Sequence, residues 1–313
     1  MKSKWYIFIL TTLFFWGCHS KQEVVEIPNQ PFFVVLGVAQ DAGYPQIACT
    51  KQCCTATYKN PTLKRMVSCI GLVDPINNES WMFDATPDFT KQAKLLTNYV
   101  KEKEVPDGIF LTHGHIGHYT GIMYLGREAM SAAKVPVYAM PRMREYLTNN
   151  GPWSQLVSTK NIALQPIQND TTLMLNQRIA VTPLQVPHRD EYTETVGYMI
   201  HYGKKKALFI PDIDKWQKWE RSIVEYIKEV DIAFLDATFF KNGEINRDMS
   251  EVPHPFVEES MQLFENLTPE DKKKIYFIHF NHTNPLLEEG SEAQKQVQAK
   301  GFRIAKEKSV IPF

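Results

Sequence analysis

Charge of one sign is not in excess in this 313-residue chain, where 35 Lys and Arg stand against 35 Asp and Glu. A nucleic-acid surface normally shows as a surplus of basic residues, so that class of partner is set aside. Beyond residue 20 no stretch approaches the roughly 18 apolar residues that a bilayer span needs, which confines any membrane attachment to the N-terminus. From Phe32 onward there is no internal repeat and no long low-complexity insert. With 43% hydrophobic and 22% charged residues, the chain can bury one large core or two modest ones. The unbroken pattern favours a single domain over residues 32–313. Cysteine is scarce and uneven: Cys18 stands alone, Cys49, Cys53 and Cys54 lie together, and Cys69 follows.

The N-terminus has a separate character. Lys2 and Lys4 precede an apolar run from Trp5 to Trp16, which ends at Gly17-Cys18 before a polar stretch. That is the layout of a signal peptide over residues 1–18. Its Gly-Cys ending resembles a bacterial lipoprotein cleavage site, with Cys18 as the lipidated first residue. Residues 19–31, charged and polar with two prolines, then read as a tether. The expected location is outside the cytoplasm, in the periplasm or at the outer membrane, with the membrane reached through the N-terminal lipid.

Apolar runs alternate with amphipathic ones over the remainder. Residues 32–38, 66–73, 81–83, 109–111, 135–139, 179–186, 196–202, 207–210, 232–235 and 275–278 read as strands. Residues 88–103, 215–229, 255–266 and 291–300 carry the helical period, the last with Ser291 and Gln294 as a capping box and Gly301 as its stop. Early and late strand-rich stretches with helices between them predict two sheets packed face to face with helices outside.

Chemistry is concentrated in His113-Gly114-His115-Ile116-Gly117-His118, directly after the apolar run that ends at Thr112. Side chains two residues apart on an extended segment point the same way, so His113 and His115 can grip one ion. A helix starting near Tyr119 would let His118 face a neighbouring ion. Four further residues each follow an apolar strand, where a loop delivers side chains to a cleft: His188, Asp212, His279 and His282. Several imidazoles with a carboxylate are the mixture that zinc selects, with manganese or iron also suited. His201 and His19 read as exposed.

Taken in order, HxHxxH, His188, Asp212 and His279 resemble the metallo-β-lactamase fold hydrolases, over nearly everything from Phe32 to Phe313. Within that superfamily, Val35-Leu36-Gly37, Gly43-Tyr44-Pro45-Gln46, Asp84-Ala85-Thr86-Pro87-Asp88, Pro187-His188-Arg189 and Thr283-Asn284-Pro285 resemble the pyrroloquinoline quinone biosynthesis protein B family. The chain is also similar to the phosphonate-pathway phosphodiesterases that open a cyclic ribose phosphate. The resemblance implies an α+β sandwich of αββα type, with two mixed sheets face to face and helices outside. It implies that His113, His115 and His188 hold one metal, that Asp212 bridges, and that His118 and His279 hold a second. Position 117, where the superfamily pattern has Asp, is Gly here, so the second site is expected to be weak, completed by water or empty. The quinone-biosynthesis proteins usually lack the first two histidines and keep that Asp, so their metal centre is not reproduced either.

A water held by one zinc ion has its pKa lowered from 15.7 to about 7, and can attack a phosphoester, lactone, amide or thioester. Asp212 can orient that water or take its proton. Asp84 is expected to fix an imidazole tautomer or to form a turn, and His254, which matches a His of the quinone-biosynthesis relatives, to line the substrate pocket or to sit in a surface loop. With Asp212 they complete the catalytic candidates. Four thiols in an exported protein first suggest two disulfides. In both sets of relatives, however, a Cys cluster at this place binds a structural zinc, which implies Cys49, Cys54 and His282 as ligands with Cys53 as a further candidate. Cys69, in an apolar strand, reads as a buried free thiol.

The leading expectation is thus an exported, membrane-tethered metal-dependent hydrolase acting on a small anionic molecule, with a phosphodiester or cyclic phosphate tested first. Arg189 and Arg142 are candidates to receive the anion. Two alternatives stand beside it: an iron-dependent oxygenase with a role in cofactor biosynthesis, and a non-catalytic lipoprotein that binds a metal or small molecule.

Overall fold

Strands buried on both faces are the first physical fact of the computed structural model, which describes Met1 and residues 27–313. The signal segment, His19, Cys18 and most of the tether lie outside the described residues. In chain order the strands are β1 Phe32–Gly37, β2 Cys69–Asp74, β3 Glu79–Phe83, β4 Gly108–Phe110, β5 Val135–Ala139, β6 Ile162–Pro166 and β7 Leu173–Met174. They continue with β8 Ile179–Gln185, β9 Val196–Tyr202, β10 Lys205–Ile210, β11 Ile232–Asp236, β12 Ile275–Ile278, β13 Arg303–Ile304 and β14 Val310–Pro312. One sheet has the order β14-β1-β2-β3-β4-β5-β6 and the other β13-β12-β11-β10-β9-β8-β7.

Each sheet is mixed. Strands β3 to β6 run parallel, as do β10 to β13, while the other pairs are antiparallel. Period-two alternation separates two cores. Phe33 and Val35 of β1, Trp81 and Phe83 of β3 and Phe110 of β4 face the partner sheet. Phe32, Val34, Met82 and Ile109 face the outer helices Phe89–Thr97 and Pro141–Asn149. Because both faces are covered, the strands read as continuous apolar runs. Ring pairs close the space between the sheets, with centroids of Phe33 and Phe234 5.7 Å apart and of Phe83 and Tyr198 5.5 Å apart.

Helix 88–103 stops early, at Phe89–Thr97. Beyond it, Lys101 gives its N–H to Asn78 Oδ1 at 2.7 Å and accepts from Asn78 Nδ2 at 3.1 Å, which claims backbone groups that a longer helix would need. The helix expected over 215–229 is split into the turn Trp216–Lys218 and the helix Ile223–Glu229. Arg221 reaches across to Asp170 at 2.7 Å, and Ser222 caps the restarted helix at Glu225 N. Ser291 caps Glu292–Ala299 as expected, but Gln294 turns its Oε1 to Gly290 N rather than closing the box, and Gly301 ends it at φ 89°. His201 is half-buried rather than exposed, bonded to Thr182 Oγ1 at 3.2 Å. The helices Gln52–Lys59, Pro141–Asn149 and Trp153–Ser158 and the strand β6 lie outside the predicted elements.

Candidate metal centre

The carboxyl ends of the parallel strands of both sheets meet at one rim, and the chemistry-bearing residues sit in the segments that leave them. His113 follows β4, Asp212 follows β10, Asp236 ends β11 and His279 follows β12. A bridge between Ala39 and Phe280 joins the two sheets there. Asp84 at φ 74° and His279 at φ 70° lie in the left-handed region, a strain of about 1–3 kcal/mol each that the packed rim must offset.

Two sets of ligand atoms lie side by side. His113, His115, His188 and Asp212 form one, and Asp41, His118, Asp212 and His279 the other, the atoms of each within 4.8 Å of one another. His118 is in the helix Ile116–Tyr119, which starts three residues earlier than predicted and carries the ring to the far flank of the motif.

Most of these rings are held from behind through Nδ1. His113 Nδ1 meets Thr112 Oγ1 at 2.9 Å, His118 Nδ1 meets Asp84 Oδ2 at 2.7 Å, His188 Nδ1 meets Asp214 Oδ1 at 3.2 Å and His279 Nδ1 meets Thr238 Oγ1 at 2.9 Å. A carboxylate only accepts, so His188 carries its proton on Nδ1 and turns a bare Nε2 inward, while His118, between Asp84 and Asp41 Oδ1 at 3.0 Å from its Nε2, holds a proton on each nitrogen until a metal displaces the inner one. His115 is reversed, its Nδ1 2.8 Å from His113 Nε2 and its Nε2 toward Glu191 at 3.2 Å.

Asp212 stands between the two sets, Oδ2 3.4 Å from His113 Nε2 and 3.8 Å from His118 Nε2, Oδ1 3.3 Å from His188 Nε2. Among the described residues, His188 Nε2 is buried with no hydrogen-bond partner and faces Asp212 Oδ1, whose other neighbour is His254 Nδ1 at 3.1 Å. Two lone-pair atoms facing each other in a buried site are costly unless something positive lies between them. The residues therefore fit a divalent cation, and the imidazole and carboxylate mixture is that of zinc, manganese or iron.

Charge at the rim is arranged in opposition. Burial would raise the Asp212 carboxyl, but His188 and His254 outweigh it and hold it well below the usual carboxylate range. Burial would lower His118, but Asp84 and Asp41 hold it well above the usual imidazole range. Burial lowers His113 and His115, helped at His113 by the neighbouring His118. Hydrogen bonding from His188 and Lys218 takes Asp214 down to about 2.

Asp84 is fully buried and behind the site, where it accepts from Thr112 N at 2.8 Å and fixes His118. His254 is closer than a pocket wall, with Nδ1 3.1 Å from Asp212 Oδ1 and 2.9 Å from Asp236 Oδ2. Sequence reasoning missed Asp41, Asp236, Thr238 and Asp214. Asp236 had a signal, since it ends an apolar strand as Asp212 does. Arg142 turns its guanidinium to the Asp190 carbonyl at 3.0 Å, and Arg189 is exposed beside Glu191.

Away from this rim, Cys49, Cys53, Cys54 and His282 bring their ligand atoms within 4.8 Å of one another. Cys54 Sγ is 3.3 Å and Cys53 Sγ 3.7 Å from His282 Nδ1. All four of the described cysteines are free thiols, so the disulfide alternative is not the arrangement found. Cys69 is fully buried in β2, and burial pushes its thiol well up.

Two mixed sheets that close on a shared carboxylate and two groups of imidazoles define a metallo-β-lactamase fold protein with clustered metal ligands. A model of the beta-lactamase superfamily domain matches residues 81–280, and the chain belongs to that family. It is 25% identical over 298 residues to the coenzyme PQQ synthesis protein B of Rhizobium meliloti (strain 1021), covering 87% of this chain and 94% of that one. Among solved structures it is similar to zinc-bound PqqB from Methylobacterium extorquens, with a TM-score of 0.76 at 21% identity over 90% of this chain and 100% of that one. A diphosphatase of the PhnP family gives a TM-score of 0.63 at 24% identity, over 90% of this chain and 97% of that one.

Proposed function

We propose that this protein is a metal-dependent hydrolase of small anionic molecules, with a phosphodiester or cyclic phosphate as the substrate class. One observation carries the reading: buried His188 Nε2, without a hydrogen-bond partner, faces the Asp212 carboxylate at 3.3 Å, inside a ring of imidazoles whose Nδ1 atoms are tied back. A site that served only to pack would pair or remove such an atom. The likeness to a diphosphatase of the PhnP family adds a phosphate ester to the reactions worth testing.

Zinc is the ion proposed for the rim, since three imidazoles and a carboxylate suit it and the similar PqqB structure holds zinc. Bound there, the ion would supply acidification of water and stabilisation of charge on a substrate oxygen. Asp212, held ionised, accepts the hydrogen bond that orients an incoming water, and His254, backed by Asp236 at 2.9 Å, stands 3.1 Å from its Oδ1 and fixes that carboxylate. Thr112, Asp84, Asp214 and Thr238 hold the imidazoles so that little reorganisation is needed during turnover. A structural zinc at Cys49, Cys53, Cys54 and His282 is part of the same reading.

The location proposed is that of an exported lipoprotein anchored through Cys18. Its support is the N-terminal sequence, Lys2 and Lys4, the apolar run and Gly17-Cys18. Among the described residues no helix is long and apolar enough to cross a membrane.

The test is metal analysis of the purified protein followed by turnover of bis-p-nitrophenyl phosphate, with His115→Ala as the control. Turnover that needs the metal and falls at least about a hundredfold in His115→Ala supports the reading. Stoichiometric metal without turnover of phosphodiesters, lactones or thioesters would favour a binding role instead.

A further inference from the structure

We infer that Asp41 is the carboxylate ligand of a second metal ion, taking over from a different stretch of chain the place that the superfamily pattern gives to residue 117. The inference rests on the reading of the rim as a metal centre and alters its second half, which the sequence alone describes as weakened.

Asp41 lies in the segment that leaves β1, far in sequence from the histidine motif. Its Oδ1 is 3.0 Å from His118 Nε2 and 3.4 Å from His279 Nε2, and those two nitrogens are 3.3 Å apart. Asp212 Oδ2 completes the group at 3.8 Å from His118 Nε2 and 4.0 Å from His279 Nε2. Two imidazoles and two carboxylates thus present one atom each to a common point, a donor set of the kind that holds zinc or manganese. A simple ion pair with His118 would not require His279 and Asp212 on the same side.

The loop is fixed independently of the side chain. Gln40 N donates to Phe280 O at 2.8 Å, Phe280 N to Val38 O at 2.7 Å, and Ala39 N to Met66 O at 2.9 Å. These bonds tie the residue before Asp41 to the residue after His279, so the two ligands are delivered together. Gly43 N returns to Gln40 O at 2.7 Å and closes the turn.

Gly117 supplies the independent evidence. A Cβ built at that position would come within 2.5 Å of Asp41 Cα, 2.7 Å of its Oδ1 and 2.8 Å of its Cβ. The helix Ile116–Tyr119 does not need a left-handed φ there, and glycine is a poor helix former, so backbone freedom does not explain the residue. Space does. Any side chain at 117 collides with Asp41 where it now stands, so a carboxylate can come from one position or the other. The missing ligand and the added one are a single exchange.

The test uses the full-length protein in detergent, freed of metal and then titrated with zinc and, for the spectrum, cobalt(II). The readouts are bound metal per chain after equilibrium dialysis, the affinity of each step, and the cobalt visible bands. The wild type is expected to take two equivalents more than are held by the cysteine cluster. Asp41→Ala is expected to lose one of them, and the isosteric Asp41→Asn to weaken it by more than about tenfold, the loss that removal of even an outer partner of a ligand brings. Gly117→Ala is expected to weaken the same equivalent although it removes no ligand atom and favours the helix. His115→Ala should instead affect the other equivalent. An unchanged second equivalent in Asp41→Asn and Gly117→Ala, with His115→Ala still losing metal, would overturn the role of Asp41 and leave the metal centre standing. Absence of any rim metal from the wild type would overturn the metal centre itself.

Discussion

Asp84→Asn is the substitution whose outcome the geometry specifies most closely. Asp84 Oδ1 accepts from Thr112 N at 2.8 Å and from Thr112 Oγ1 at 2.9 Å, while Oδ2 takes the Nδ1 proton of His118 at 2.7 Å. Asparagine has the same shape and tolerates the φ of 74°, so the backbone is not strained by the change. It has, however, one acceptor and one donor where the carboxylate has two acceptors. If its oxygen keeps Thr112, its NH2 confronts His118 Nδ1, and the ring proton must move to Nε2, where it points into the site. If its oxygen keeps His118, the buried Thr112 N–H loses its partner, at about 1–3 kcal/mol of stability. The first arrangement costs metal affinity by about tenfold to a hundredfold, equivalent to about 1.4–2.8 kcal/mol. His115 and His188 do not touch Asp84, so the loss should fall on the equivalent held by His118. Competition with a chromogenic chelator, alongside thermal unfolding, measures both costs. A variant that keeps both the wild-type unfolding temperature and the wild-type affinity at that equivalent would refute the reasoning.

The pH dependence of metal uptake should differ between the two halves of the rim. His113 and His115 are held below their usual range and are already neutral at pH 7, so binding there should vary little from pH 6.5 to 8. His118 is held well above its usual range and must shed a proton, so binding to its side should tighten as pH rises, by about tenfold per unit for one displaced proton. Calorimetry in buffers of different ionisation enthalpy counts that proton, and equal counts for the two steps would contradict the assignment. Cys54→Ser should remove one equivalent of zinc while bis-p-nitrophenyl phosphate turnover persists. Unchanged metal content would assign the thiols another role. Phe83→Ala opens a void between the sheets against Phe110, Tyr198 and Phe209, and should cost about 3–5 kcal/mol in denaturant unfolding.

Much of this was legible because its signals are local in sequence. The six-residue histidine motif, the strand ends before His188, Asp212 and His279, and the apolar runs all lie within short windows, so both the architecture and six metal-ligand candidates could be read directly. What was not legible depends on approach in space. Asp41 sits in Gln40-Asp41-Ala42-Gly43, which reads as an ordinary turn, and its role appears only when β1 meets the segment after β12. Its one trace was indirect, a glycine where the pattern of the superfamily has a carboxylate. Helix ends were misjudged for the same reason: Asn78 takes the backbone of Lys101, and Arg221 is drawn to Asp170, partners that no local periodicity reveals.

The rim gathers side chains from residue 41 to residue 279, and Asp212 touches members of both groups. No nascent fragment contains the set, so an ion can be captured only after the two halves of the chain have docked. An ion bound there would act as a clasp across the sandwich, and mass action would make the resistance of the chain to unfolding a function of how much free metal surrounds it. Its stability would then report the free metal around it.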